Sequence, residues 1–276
     1  MKQTILLWVL AFTITAASAI YQRMTGPTHP LSGSFDLAGK TYSFKFDRSH
    51  GGTTNAPVQI KTDDESIQGT VFWKRYKTDD EWVSIQMTYA NGTLSAELPN
   101  QPPAGKLLYR VELKKDEQTV SVPAGEPIII RYKGDVPLYV LIPHVFAMFG
   151  AMFLSTRAGL EIFRKEPQYK KFIYWTLGFL FAGGFILGPI MQWYAFNAWW
   201  TGWPLGTDLT DNKTAAAFLG WVVAAIALAK SSRPKYWVLG ASIVMLVVYL
   251  IPHSVLGSEL NYKDLEKQQQ QKSQPQ

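Results

Sequence analysis

The sequence has no cysteine, which excludes disulfides, thiolate metal sites, cysteine nucleophiles and the C-x-x-C-H attachment of c-type haem. It is also poor in charge. Asp, Glu, Lys and Arg make up 17% of the 276 residues, against about 25% in a typical soluble domain. No phosphate-binding glycine loop and no metal-spaced His/Glu motif is present. No acidic residue falls at mid-depth of an apolar run, which argues against an ion- or proton-coupled transporter.

What is there is unevenly placed. Residues 21–135 hold most of the charge, and 136–256 are largely apolar. This asymmetry excludes both a single soluble globule and a disordered chain. Four internal stretches, Leu138–Ser155, Phe172–Trp193, Ala215–Ala229 and Trp237–Pro252, approach the roughly 20 apolar residues that cross a bilayer. A fifth, Thr4–Ile20, follows Lys2. Its end, Ala17-Ser18-Ala19, fits a signal-peptidase site, while its length of about 17 residues also suffices for a retained anchor. Both readings stand, and both put residue 21 outside the cytoplasm. The loop with Arg157, Arg164, Lys165, Lys170 and Lys171, and the turn with Lys230, Arg233 and Lys235, then both lie inside. The formal charge of +6 is thus largely a topology signal, and no nucleic-acid partner is expected.

Residues 30–133 read as strands of alternating polarity. Val83, Ile85, Met87 and Tyr89 interleave with Ser84, Gln86 and Thr88, and Leu107, Tyr109, Val111 and Leu113 with Arg110, Glu112 and Lys114. A period of two marks strands with one buried face. Turn signals recur at Ala38-Gly39, Asp79-Asp80, Asn91-Gly92, Pro103-Ala104-Gly105 and Lys115-Asp116, so seven to nine short strands, roughly, form an antiparallel sandwich. The run from Pro102 to Tyr109 is similar to an immunoglobulin-like or fibronectin type III strand and its approach. Asn91-Gly92-Thr93 matches a glycosylation acceptor, but Asn-Gly between strands reads better as a hairpin turn. His29 and His50 read as surface histidines. Trp73, Arg75, Tyr76 and Trp82 offer an aromatic-basic patch, although alternation sends about half of them to the core.

The most informative feature is a repeated tetrapeptide. Leu141-Ile142-Pro143-His144 opens the first span after the β domain, and Leu250-Ile251-Pro252-His253 closes the last. The topology puts both histidines at the outer ends of their helices. The outer loop between them in sequence, Trp193 to Asp208, carries Trp199, Trp200 and Trp203. Neutral imidazoles ligate haem iron axially, and a porphyrin needs aromatic and apolar walls. Met148 and Met152 extend the His144 face at i+4 and i+8. Trp and Tyr also gather at membrane interfaces without any cofactor, and Thr210, Asp211 and Asn212 are ordinary cap candidates.

These residues resemble the tryptophan-rich, WWD-type haem-handling proteins of cytochrome c maturation, in which externally placed histidines flank a Trp-rich loop. The resemblance implies that Trp199, Trp200, Trp203 and Asp208 form the Trp-rich stretch, with Lys213-Thr214 as its Lys-rich end. It implies His144 and His253 as haem iron ligands, and Asp208 or Lys213 as a group meeting a propionate or orienting the loop. It is confined to 136–256. Pro204-Leu205-Gly206-Thr207 interrupts the W-x-W-D core, and the β domain is foreign to that family. The whole chain resembles a bacterial multi-pass membrane family with an outer β domain.

The expected architecture is a membrane α-helical bundle with an inserted antiparallel β-sandwich. Residues 1–20 are an anchor or signal peptide, 21–135 an extracytoplasmic sandwich, 136–256 four transmembrane helices and 257–276 a disordered polar tail. The expected place is the bacterial cytoplasmic membrane, with the β domain and tail outside, and the partners are lipid and other envelope membrane proteins. Two functions compete: binding or relaying haem b in electron transfer or cytochrome assembly, and a cofactor-free scaffold whose sandwich docks a partner. Gly178, Ala182, Gly184 and Gly188 permit close helix packing, and Arg157 and Glu161 are spaced to pair. Asp208 and Asp211 are spaced for acid/base work, but capping explains them more simply, so neither hydrolase nor transferase chemistry is expected.

Overall fold

A computed structural model describes residues 2–253, 255, 257 and 259–273. The chain forms two compact units. One comprises Met1–Pro27 and Val136–Ser258, the other Thr28–Asp135 and Glu259–Gln276.

The second unit holds eleven strands among the described residues: β1 (Leu31–Leu37), β2 (Lys40–Phe46), β3 (Ser49–Gly51), β4 (Ala56–Lys61), β5 (Gln68–Arg75), β6 (Val83–Gln86), β7 (Thr88–Ala90), β8 (Thr93–Leu98), β9 (Lys106–Lys115), β10 (Gln118–Val122) and β11 (Ile128–Lys133). β1 and β2 form a hairpin. A six-stranded mixed sheet runs β3-β11-β9-β5-β6 with β10 also on β9, and β4-β8-β7 form a third sheet. The pairings are antiparallel except β11 with β3. Ala38-Gly39 and Asn91-Gly92 turn their hairpins with positive φ at both residues, as a tight two-residue turn demands.

In β9 the alternation is complete. Leu107, Tyr109, Val111 and Leu113 are buried at 0–1% exposure, and Val71 of β5 sits opposite Val111. Each such side chain contributes about 1.5–3 kcal/mol by leaving water. The run Val83–Tyr89 behaves differently. Its first half pairs with β5 and its second with β8, so the chain changes sheets at Met87. Val83 is therefore 47% exposed although the alternation puts it inside, while Met87 is buried against Gly69.

The polar tail, disordered by composition alone, carries a helix, α7 (Tyr262–Ser273), counted after the six of the bundle below. One aromatic secures it. Tyr262 is buried, its hydroxyl donates to Lys106 O at 3.0 Å, and the Arg75 guanidinium lies 5.1 Å from its ring centre. Arg75 grips Asp80 through two hydrogen bonds and reaches Glu266 at 2.5 Å. Arg75 thus serves ion pairs rather than an open patch, and Trp73 packs partly against the core. His50 bonds Thr54 through Nε2 at 3.0 Å.

The first unit is helical: α1 (Lys2–Thr25), α2 (Leu138–Gly159) continued by a tight turn to Phe163, α3 (Tyr169–Leu180), a wide π-helical segment (Phe181–Leu187), α4 (Gly188–Phe196), α5 (Leu209–Lys230) and α6 (Pro234–Leu250). Four segments are long and apolar enough to cross a membrane: Lys2–Thr25, Leu138–Phe163, Tyr169–Phe196 and Leu209–Lys230. α6 is apolar and shorter, at 17 residues. Pro143 lies inside α2 rather than in its first turn, where it leaves the Tyr139 carbonyl without its helical donor.

The helix α1 packs as a member of the bundle. Trp8 lies against Phe153 and Phe172, and Gln3 donates to Phe163 O. Arg157 and Glu161 pair at 2.5 Å, both fully buried, with the guanidinium 5.2 and 5.0 Å from the ring centres of Trp8 and Phe172. Among the small residues that let helices close up are Gly183, beside Met148 and Ala147, and Gly184, beside Thr214. Gly178 faces open space.

Candidate functional site

The carbonyls ending α6 have no helical donors, so side chains must satisfy them. Gln22 of α1 donates to Tyr249 O at 2.9 Å, and Lys213 of α5 donates to Ile251 O at 2.6 Å. Tyr249 in turn donates its hydroxyl to Met148 O of α2. These bonds tie α1, α2 and α5 to the end of α6 around a cavity of about 240 Å³. His144, Met148 and Phe149 of α2 line it, with Met191 of α4, Lys213 of α5 and His253 beyond α6. Both histidines of the repeated tetrapeptide therefore face one space.

His144 is fixed by a second contact. Its Nδ1 is 3.0 Å from the carbonyl oxygen of Gly183, within the π-helical segment. A proton on Nδ1 makes this a donated bond and leaves Nε2 with a free lone pair. Orientation of one ring nitrogen by a backbone carbonyl is the usual support of a ligating histidine. Gly183 makes room for it, because a Cβ there would lie 2.8 Å from Met148 Sδ.

The tryptophan-rich loop is held by the first turns of α5. Asp208 caps the helix by accepting from Thr210 N at 2.7 Å. Asp211 accepts from Thr201 N, Gly202 N and Gln192 Nε2 at 2.8, 3.0 and 3.0 Å. Asn212 accepts from Trp203 N at 2.6 Å. Gly202 is required by close approach, since a Cβ there would meet Asp211 Cβ at 2.5 Å. Asp208 is thus the cap the sequence suggested, whereas Asp211, read there as a cap as well, instead holds the loop.

Trp199, Trp200, Trp203 and Asp208 are absent from the cavity lining. Trp199 stacks on Trp193 with ring centres 5.0 Å apart, Trp200 stacks on Phe185, and Trp203 is 78% exposed. Of the two methionines following His144, Met148 lines the cavity and Met152 is fully buried in the core. Sequence reasoning missed Gln22, Met191 and Tyr249. The available signal was a polar residue near the end of an apolar helix, which for Gln22 was legible. Compared with models of known protein families and with curated proteins, the sequence matches none.

Proposed function

We propose that this chain is an integral protein of the bacterial cytoplasmic membrane that holds b-type haem between His144 and His253, for electron transfer or cytochrome assembly. One observation carries the reading: the two histidines of the repeated tetrapeptide line a single cavity, one of them already oriented by a carbonyl. The donor set fits haem, since two neutral imidazoles are the axial pair of many b-type centres and Met148, Phe149 and Met191 supply apolar walls. The space encloses only part of a porphyrin, because about 240 Å³ falls below the roughly 300–1,000 Å³ of pockets that enclose small ligands whole. When bound, haem iron would supply one-electron chemistry. The chain's own work is to present two imidazoles to one space, His144 oriented by the Gly183 carbonyl, beside apolar side chains.

In this reading the basic residues of 164–171 and 230–235 face the cytoplasm. The cavity then lies near the outer surface, with the β unit, a sandwich of the immunoglobulin or fibronectin type III kind, also outside. The stacked tryptophans, lying away from the cavity, favour a second reading as an interface belt on a cofactor-free scaffold. Visible spectra of the detergent-purified chain, oxidised and dithionite-reduced, separate the two. A Soret band with reduced α and β bands, lost in His144→Ala/His253→Ala, supports haem. A featureless spectrum after adding haemin refutes it.

A further inference from the structure

Lys213 brings a positive charge into an otherwise mostly apolar cavity. It is 6% exposed, and its Nζ makes one hydrogen bond among the described residues, to Ile251 O. An ammonium has three N–H donors, so two remain for an occupant. Of the acids in the preceding turn, Asp208 caps α5 through Thr210 N and adds a favourable field at Lys213, and Asp211 holds the Trp-rich loop. A charged side chain among membrane helices is costly and marks function by default. Its sign selects the ligand: a buried cation repels a bare metal ion and attracts an anion.

The walls select the rest of the ligand. Met148, Met191 and Val248 are apolar, and Val145 and Phe149 both line the cavity and reach the outer surface of α2, at 40% and 38% exposure. In a bilayer that surface would face lipid, which would give an apolar molecule a route to the cavity.

We infer that the cavity takes an apolar molecule ending in a carboxylate, which enters past Val145 and Phe149 and seats its carboxylate on Lys213. A porphyrin propionate and a long-chain fatty acid share this chemistry. Only the first source rests on the haem reading.

The test uses the full chain in nanodiscs of uncharged phospholipid. The probes are a diazirine-bearing palmitic acid and its methyl ester, with labelled positions mapped by mass spectrometry. The acid is expected to label Val145, Met148 and Phe149 at least about tenfold more than the ester, the scale of a charge-assisted hydrogen bond. Lys213→Met is expected to reduce labelling to the ester level, and Lys213→Arg to restore most of it. Equal labelling of the wild-type chain by acid and ester overturns the inference, and that comparison needs no variant to fold. Unchanged labelling of Lys213→Met overturns it as well. Displacement of the label by excess haemin assigns the carboxylate to a propionate, whereas displacement by palmitate alone assigns it to a fatty acid. Retained acid labelling in His144→Ala/His253→Ala, with no haemin Soret band in the wild type, removes the haem reading and leaves this one standing.

Discussion

Glu161→Gln is expected to destabilise the helical unit by about 3–5 kcal/mol, the usual cost of leaving one member of a buried ion pair unpaired. The side chains of Arg157 and Glu161 are 1% and 0% exposed and lie 2.5 Å apart. The substitution keeps an oxygen for the Gln168 N–H, which Glu161 also accepts at 2.5 Å, so the loss falls on charge rather than on shape. Arg157 then keeps the rings of Trp8 and Phe172, 5.2 and 5.0 Å away, and a desolvated cation–π contact is worth about 2 kcal/mol, less than the pair it would have to replace. At 1.4 kcal/mol per decade, the folded-to-unfolded ratio falls roughly 100- to 4,000-fold. SDS-titrated unfolding in mixed micelles, run on wild type, Glu161→Gln, Arg157→Met and the double variant, measures it as a cycle. The expected coupling is at least about 2 kcal/mol, with the double variant more stable than either single one. Additive losses, or a single-variant cost under about 1 kcal/mol, would refute the argument.

Three further outcomes are expected. Lys115 and Ser66 hold the Asp64 carboxyl down at about 2, against about 3.9 in an unfolded chain. Its contribution is therefore complete above about pH 4 and lost as pH falls through about 2, so Asp64→Asn should flatten that part of the acid-unfolding curve; an unaltered curve contradicts the pairing. Tyr262→Ala removes the buried anchor of α7, and amide exchange across 262–273 should speed up by at least about tenfold, the scale of a lost buried aromatic, while β9 stays protected. Asp211→Ala leaves the N–H groups of Thr201 and Gly202 without their acceptor, at about 1–3 kcal/mol each; limited proteolysis should then cut between Trp199 and Asp208, sites resistant in the wild type.

Local chemistry made much of this architecture legible. Leu107 to Leu113 alternate, and they are buried alternately because one face of β9 packs on the core. Ala38-Gly39 and Asn91-Gly92 turn where their backbone freedom permits. The repeated tetrapeptide pointed to two histidines that do line one cavity. What the sequence hid is long-range. Val83 obeys the same alternation as Leu107 but stands exposed, because its strand changes partners at Met87. The tryptophans read as cavity walls, yet Trp199 stacks on Trp193, Trp200 stacks on Phe185, and Trp203 stands exposed. Tyr262 looks idle in a polar tail until Arg75 and Lys106, distant in sequence, meet it.

The wide turn at Phe181–Leu187 acts as a phase shifter. Along a regular α-helix each residue advances about 100°, and positions four apart share a face. A π-helical segment spends more residues per turn, so the faces before and after it fall out of step. Within and around the segment, Gly183 and Gly184 meet neighbouring helices, whereas Gly178 before it faces open space. The same slip sets which side of α4 turns inward: Met191 reaches the cavity, and Gln192 the carboxylate of Asp211. Removing one residue from the segment would restore a straight reading frame of faces and carry both side chains about 100° around the helix axis.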